Sequence, residues 1–413
     1  MEKSTAQNQR LRFSSFKEDW KNVKLNEVLK EHKSRNTTGE FEEVFSVAKE
    51  KGVINQIEHL GRSYASDNIT NYKIVFPNDV VYTKSPTAGF PFGIIKQNKI
   101  DRTGVVSVLY AVFKPQNQYI GLLLDYYFSL PVNTYNYLVP LVHKGAKNTM
   151  NIGNEDFLNG AKIYLPADVS EQQKITDFLI TIDKIIEKLK EKKGLLEQYK
   201  KGITQKIFSR QLRFKDDQGN DFPAWEMKKF NEVFGRVTTK NTENNQNVLT
   251  ISAQHGLINQ QDYFNKSVSA SNVTGYYLIK KSDFAYNKSY SKGYPMGAIK
   301  CLKKYEKGVV STLYICFKIK DNSVNDFFEH YFESGLLNKQ INKIAQEGAR
   351  NHGLLNMSVV DFFKDIDILK PSLKEQEKIA AFLNDIDKQI QAVASQLKQT
   401  RKFKKGLLQK MFV

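Results

Sequence analysis

Apolar positions along the chain follow two regimes that recur in the same order. Over residues 16–166, and again over 214–371, they come in short β-branched and aromatic runs broken by Gly, Asn and Pro. "KIVFPNDVVYTK" (73–84), "FGIIK" (92–96) and "VVSVLYAVFK" (105–114) have the length and composition of strands. "DYYFSL" (125–130) and "DFFEHYFESGLLNKQINKI" (326–344) carry helical spacing. The second regime is a long stripe. Ile175, Leu179, Ile182, Ile186, Leu189, Leu196, Tyr199, Ile203 and Ile207 recur mostly at alternating four- and three-residue steps. Ile379, Leu383, Ile386, Ile390, Val393, Leu397, Phe403, Leu407 and Met411 do the same. A period near 3.5 predicts a coiled-coil seam. Each helix would run about 39 residues, or roughly 58 Å at 1.5 Å per residue. Pro166 and Pro371 stand just before the two starts.

The two regimes repeat because the sequence does. Residues 52–114 align with 256–318 at an offset of 204 without a gap, and about two positions in five are identical. "GVVSVLYAVFK" (104–114) matches "GVVSTLYICFK" (308–318), "GAKN" (145–148) matches "GARN" (348–351), and "EQQKITDFL" (171–179) matches "EQEKIAAFL" (375–383). The expected organisation is a short N-terminal segment (1–15), a globular unit (16–166), a long helix (167–213), a second globular unit (214–371) and a second long helix (372–413). The fold class is α+β: two similar globular domains alternate with two long helices. A single such helix would leave its seam in water, so the helices are expected to pair with each other, antiparallel if a pseudo-two-fold relates the copies. Pairing with another subunit is the alternative. At mid-chain "QKIFSRQLRF" (205–214) is continuous, while "QKMFV" (409–413) and "QRLRF" (9–13) are the same junction opened. A circular arrangement follows, with Leu11 expected beside the end of the second helix.

Charge then narrows the partners. The chain of 413 residues has 62 Lys and Arg against 44 Asp and Glu, a net +18. Such an excess favours a polyanionic partner, with double-stranded DNA foremost. No apolar run approaches the roughly 20 residues of a spanning helix, so no membrane is expected. The polar start "MEKSTAQNQR" lacks an apolar leader core, and two cysteines give no disulfide framework; a cytoplasmic setting is the expectation.

Candidate chemistry is sparse. There is no phosphate-binding glycine motif and no pair of adjacent prolines of the aminomethyltransferase type. The six histidines lack ligand spacing, and Cys301 and Cys316 have no close companions, so no metal site and no catalytic residue is expected. The informative stretches are loops. Residues 82–89, "YTKSPTAG", correspond to 286–293, "YNKSYSKG". Both keep Lys-Ser, a glycine and a later lysine, and both change what lies between. A side chain that holds phosphate need not vary with the sequence read, whereas one that meets a base edge must. Lys84, Lys288, Lys96 and Lys300, with Ser85 and Ser289 beside them, are candidates for backbone positioning. Thr83, Thr87, Asn287, Tyr290 and Lys292 are candidates for base readout. The alternative is that the loop is only a hairpin needed for folding, an end that Gly89, Pro91 and Gly93 serve. A second candidate loop holds Lys147 and Asn148 in one copy and Arg350 and Asn351 in the other; arginine can fork onto guanine.

Two variable units alternating with helices that open on E-Q-x-x-I and close on K-K-G-[IL]-x-Q-K-[IM]-F resemble the specificity subunit of type I restriction–modification systems. The resemblance spans about Leu11 to Phe412. It implies two target-recognition domains, each reading half of a split DNA site, with the helices as a ruler. It implies a non-catalytic chain that assembles with two methyltransferase subunits and with restriction (motor) subunits. It implies that S-adenosylmethionine, ATP and Mg belong to those partners and that this chain binds no cofactor. Two other readings compete: a coiled-coil scaffold for protein partners, and a self-sufficient nuclease or methyltransferase.

Overall fold

The computed structural model describes residues 11–144, 150–252, 255–264, 272–291, 293–345 and 355–413. The chain divides into two compact units. One runs to Lys190 and takes in Ser395–Val413; the other is Glu191–Ala394. Each therefore holds one globular domain and half of each long helix.

In the first unit a four-stranded antiparallel sheet has the order Leu29–Glu31, Ala111–Pro115, Val80–Thr83, Ile94–Gln97. Its strands are the predicted apolar runs. Helix Gln118–Phe128 follows, capped by the Asn117 side chain, which accepts the Tyr119 and Ile120 N–H groups. Phe157 stacks on Tyr82 at 5.0 Å and on Phe113 at 5.2 Å, closing the core against the long helix. The second unit repeats the plan: Phe234–Arg236, Ile315–Ile319, Phe284–Asn287, Ala298–Cys301. Phe362 stacks on Tyr286 at 5.3 Å in the place of Phe157. Smaller two-stranded sheets recur as well, among them Lys73–Val75 with Gly104–Val106 and Tyr277–Lys280 with Lys307–Val310.

The long helices are Val169–Phe208 and Leu373–Phe412, 40 residues each. Ile175, Leu179, Ile182 and Ile186 are buried, with Leu189 partly so, in a cluster that includes Leu408, Met411 and Phe412. Ile379, Leu383 and Ile386 are buried, with Ile390 partly so, alongside Ile207 and Phe208; Val393 is buried too. Lys404 pairs with Asp183 in one unit, and Lys200 with Asp387 at 2.6 Å in the other. The two pairs run in opposite order along the two helices, so the helices are antiparallel. The seam departs from its predicted course at Tyr199 and Phe403, which are 52% and 55% exposed. An α-helix drifts about 20° per heptad from a 3.5 repeat. Lys200 and Thr204, and Lys404 and Leu408, take the inward places there, while Ile207 and Met411 of the predicted stripe are buried.

The junction is built twice. The Leu212 N–H donates to the Lys206 carbonyl at 3.0 Å, and the Leu11 N–H donates to the Lys410 carbonyl at 2.9 Å. Arg213 clasps the buried Glu375, and Arg12 the buried Glu171. Trp225 packs near Phe208, and Trp20 near Phe412. Leu11 thus lies beside the end of the second helix, as the repeat implies.

Candidate nucleic-acid interface

Each Lys-Ser loop joins an interior strand of its sheet to the edge strand beside it and is framed alike in the two units. The Tyr82 hydroxyl donates to the Phe92 carbonyl at 2.7 Å, and Tyr286 to Met296 at 2.6 Å. Gly93 (φ +102°) and Gly297 (φ +75°) close the loops; a Cβ there would lie 2.0 Å from the Thr83 oxygen and 2.2 Å from that of Asn287. A narrow bridge ties Thr87 to Phe90 and, in the second unit, Ser291 to Tyr294. Within this frame Ser85, Pro86, Thr87 and Ala88 are exposed, and so is Tyr290. Thr83 is buried and Asn287 half-buried. Thr83 Oγ1 accepts the Ser85 N–H at 3.4 Å, and Asn287 Oδ1 accepts the Ser289 N–H at 3.1 Å. These two differ in type yet share one turn-forming job.

The lysines separate into two kinds. Lys96 is buried and donates to Asp125 at 2.7 Å; Lys300 is buried and paired with Glu333. Two cationic neighbours, Lys96 and Lys99, hold the Asp125 carboxyl far below the usual range despite its burial. This corrects the reading of Lys96 and Lys300 as phosphate contacts: their ammonium groups are neutralised inside the domain. Lys84 and Lys288 are half-buried at the loop base. Burial lowers the pKa of both, and repulsion from Lys73 adds to it for Lys84.

The segment just beyond the second candidate loop meets the base of the first in both units. Lys84 Nζ donates to the Ile152 carbonyl at 2.6 Å, and the Leu355 N–H donates to the Lys288 carbonyl at 3.1 Å. Ile152 and Leu355 are repeat equivalents, each just beyond its G-A-[KR]-N segment. Lys147, Asn148, Lys292, Arg350 and Asn351 themselves lie outside the described residues. Sequence comparison missed Lys49, whose Nζ donates to the Ala88 carbonyl at 3.0 Å and lies over the Phe90 ring at 5.3 Å. It also missed Lys73, which donates to the Tyr110 carbonyl at 2.6 Å. Neither is a lysine in the other copy, so no repeat marks them.

Among the described residues no group of His, Cys, Asp and Glu is arranged to hold a metal ion, and no helix is long and apolar enough to cross a membrane. Cys301 and Cys316 are free and buried, their thiols pushed up to about 12 by desolvation.

Comparison with known proteins places this architecture. Residues 223–400 match the model of the type I restriction modification DNA specificity domain. The fold is similar to that of the type I restriction–modification S subunit from M. genitalium, with a TM-score of 0.55, 14% identity, and coverage of 99% of this chain and 98% of that one. The HsdS subunit from Thermoanaerobacter tengcongensis is similar over 95% of this chain and 96% of its own, with 15% identity and a TM-score of 0.43. The family model covers the second repeat, and the first repeat is a copy of the same unit in sequence, in sheet order and in core. Residues 223–400 therefore belong to the family of type I restriction modification DNA specificity domains, and the chain as a whole resembles an S subunit in fold.

Proposed function

We propose that this chain reads a bipartite duplex DNA site, one half through each unit, and sets the spacing between the halves with its paired helices. Forty residues of helix extend about 60 Å. The observation that carries the reading is the Lys-Ser loop at one end of each sheet, met at its base by Ile152 in one unit and Leu355 in the other. The frame around the loop is the same in both copies and the exposed fill is different. Same-frame, different-fill is what two readers of two sequences require. The chain itself supplies recognition. Two methyltransferase subunits bring S-adenosylmethionine and modify the DNA, and restriction (motor) subunits bring ATP and Mg-dependent cleavage.

The test is methylome sequencing of cells carrying the chain with its methyltransferase. Exchanging residues 286–293 for the sequence of 82–89 is expected to change one half of the methylated motif and leave the other half and the spacer intact. An unchanged motif would remove these loops from sequence readout.

A further inference from the structure

Beside each Lys-Ser loop stands a turn that does not vary. Residues 104–114 and 308–318 share "GVVS-x-LY" and a closing Phe-Lys. Nearly all of these shared residues have a role inside the molecule. Val105, Val106, Val309 and Val310 are fully buried, as are Phe113 and Phe317. A Cβ on Gly104 would strike the Phe45 ring at 2.5 Å, and one on Gly308 would strike Leu249 at 2.4 Å. The Tyr110 N–H donates to the Ser107 carbonyl at 3.0 Å and the Tyr314 N–H to that of Ser311 at 3.1 Å, closing the turns. The exceptions are the closing lysines, Lys114 and Lys318, whose exposed charge suits a surface, and the leucines. Leu109 is 75% exposed and Leu313 57% exposed at the third turn position, and neither belongs to a core cluster. One exposed leucine on a surface is ordinary. The same exposed leucine kept twice, in a pair of units that have diverged around it, is not.

Its place is set by strand register. Tyr82 pairs with Ala111 and Tyr286 with Ile315, antiparallel. The residues next to them, Thr83 beside Tyr110 and Asn287 beside Tyr314, therefore leave the sheet at the same end. In the first unit Lys73 ties the turn to that end by its bond to the Tyr110 carbonyl, and it is near enough to Lys84 to repel it. The turn thus rises from the same basic edge as the variable loop.

We infer that Leu109 and Leu313 are apolar wedges that enter the base stack of duplex DNA, one in each half-site, while the neighbouring variable loops read the bases. The inference rests on the DNA-reading function proposed above. A leucine makes no hydrogen bond and has no base to prefer, so it serves any sequence and has no reason to change between copies. Inserted apolar side chains unstack a base step at a cost of a few kcal/mol and kink the duplex toward additional contacts. The surrounding lysines favour DNA over an apolar protein partner.

The experiment uses the full chain with its methyltransferase partner and duplexes of the methylated motif carrying 2-aminopurine at successive positions. Leu313→Ala is expected to abolish a fluorescence rise in one half-site and Leu109→Ala a rise in the other, each with about tenfold weaker binding. A rise common to the wild type and both variants belongs to base extrusion by the methyltransferase. Because both side chains are exposed, circular dichroism is expected to be unchanged. Wild-type binding without any rise that depends on a leucine would overturn the wedge and leave the DNA-reading function standing. Loss of methyltransferase co-purification in the variants without DNA would overturn it in favour of a protein contact. Absence of sequence-specific binding by the wild-type complex would instead remove the function on which the wedge rests.

Discussion

The two units solve one structural problem with different side chains, most visibly where the domain meets the long helices. In the first unit the Tyr126 hydroxyl donates to Asp183 at 2.9 Å, and Lys404 pairs with the same carboxylate. In the second, Asp387 and Lys200 keep their places, but position 330 is histidine. His330 Nε2 meets Asn384 Oδ1 at 2.9 Å, and Asn384 donates in turn to Asp326 at 2.6 Å. The buried lysines show the same freedom. Lys96 takes its carboxylate from Asp125, whereas Lys300 takes it from Glu333, one helical turn beyond the equivalent of Asp125. Lys303 is held by Asp326 and Glu329. The helix–domain junction tolerates exchange of partners as long as each buried charge is met. A feature that does not drift between copies is therefore held either by packing or by something outside the molecule.

The comparison can be broken most forcefully at the clasp that joins the Leu-Arg-Phe segment (11–13 and 212–214) to its helix. Glu171 receives Arg12 Nε and Nη2 and also the Trp20 indole N–H at 3.3 Å. Glu375 receives Arg213 Nε and Nη2, but the Trp225 indole has no partner among the described residues. Removing one member of a buried pair costs about 3–5 kcal/mol because it strands the other charge. Arg213→Ala is expected to fall in that range. Arg12→Ala leaves Glu171 one donor and is expected to cost about 1 kcal/mol less. Urea unfolding of the two variants checks it; equal losses would mean that the Trp20 bond contributes nothing.

A smaller effect separates the units by pH. Burial lowers the pKa of His330, reinforced by Lys200, although Asp387, Glu329 and the Asn384 bond oppose it. The folded state then binds fewer protons than the unfolded one below the free-histidine value of about 6.5. Stability from this group is complete above that value and declines as pH falls toward the lowered folded value. His330→Tyr borrows the first unit's residue and removes that decline, with Asp387 placed as Asp183 is for Tyr126. The shift in urea midpoint between about pH 7.5 and 5.5 is expected to shrink. Any remaining acid sensitivity has another source in His32, whose pKa burial and Lys114 also lower. An undiminished shift in the variant would exonerate His330.

These partner exchanges also mark what the sequence could and could not disclose. The duplication, the strands and both helices were legible because burial imposes periodicity and the offset of 204 exposes it. The Lys-Ser loop was legible as a frame with variable fill. The role of Lys96 and Lys300 was not. A lysine kept in both copies looks the same whether it holds phosphate or a buried carboxylate, and the carboxylates here sit at non-equivalent positions. Tyr199 and Phe403 fitted the 3.5 period, but the real helices drift away from it. The second loop pair stood out in sequence, yet the contacts of Ile152 and Leu355 just beyond it with the loop-base lysines did not.

The finest contrast is between the two loop-base lysines, equivalent in sequence but not in bonding. Lys84 donates to the Ile152 carbonyl, while Lys288 Nζ has no hydrogen bond among the described residues. Lys84→Met strands a carbonyl and is expected to cost about 1 kcal/mol of stability. Lys288→Met is expected to stay within about 0.5 kcal/mol. On DNA the order reverses. A lysine already committed to a carbonyl has less to offer a phosphate, so Lys288→Met is expected to reduce the slope of log K against log salt by about one, and Lys84→Met by less. Unfolding and salt titration on the same two variants supply both readouts. If Lys84 governed the slope and Lys288 the stability, the half-buried loop base would have been assigned the wrong way round: the carbonyl bond would be exchanged for phosphate on binding, and the uncommitted ammonium would be a structural group.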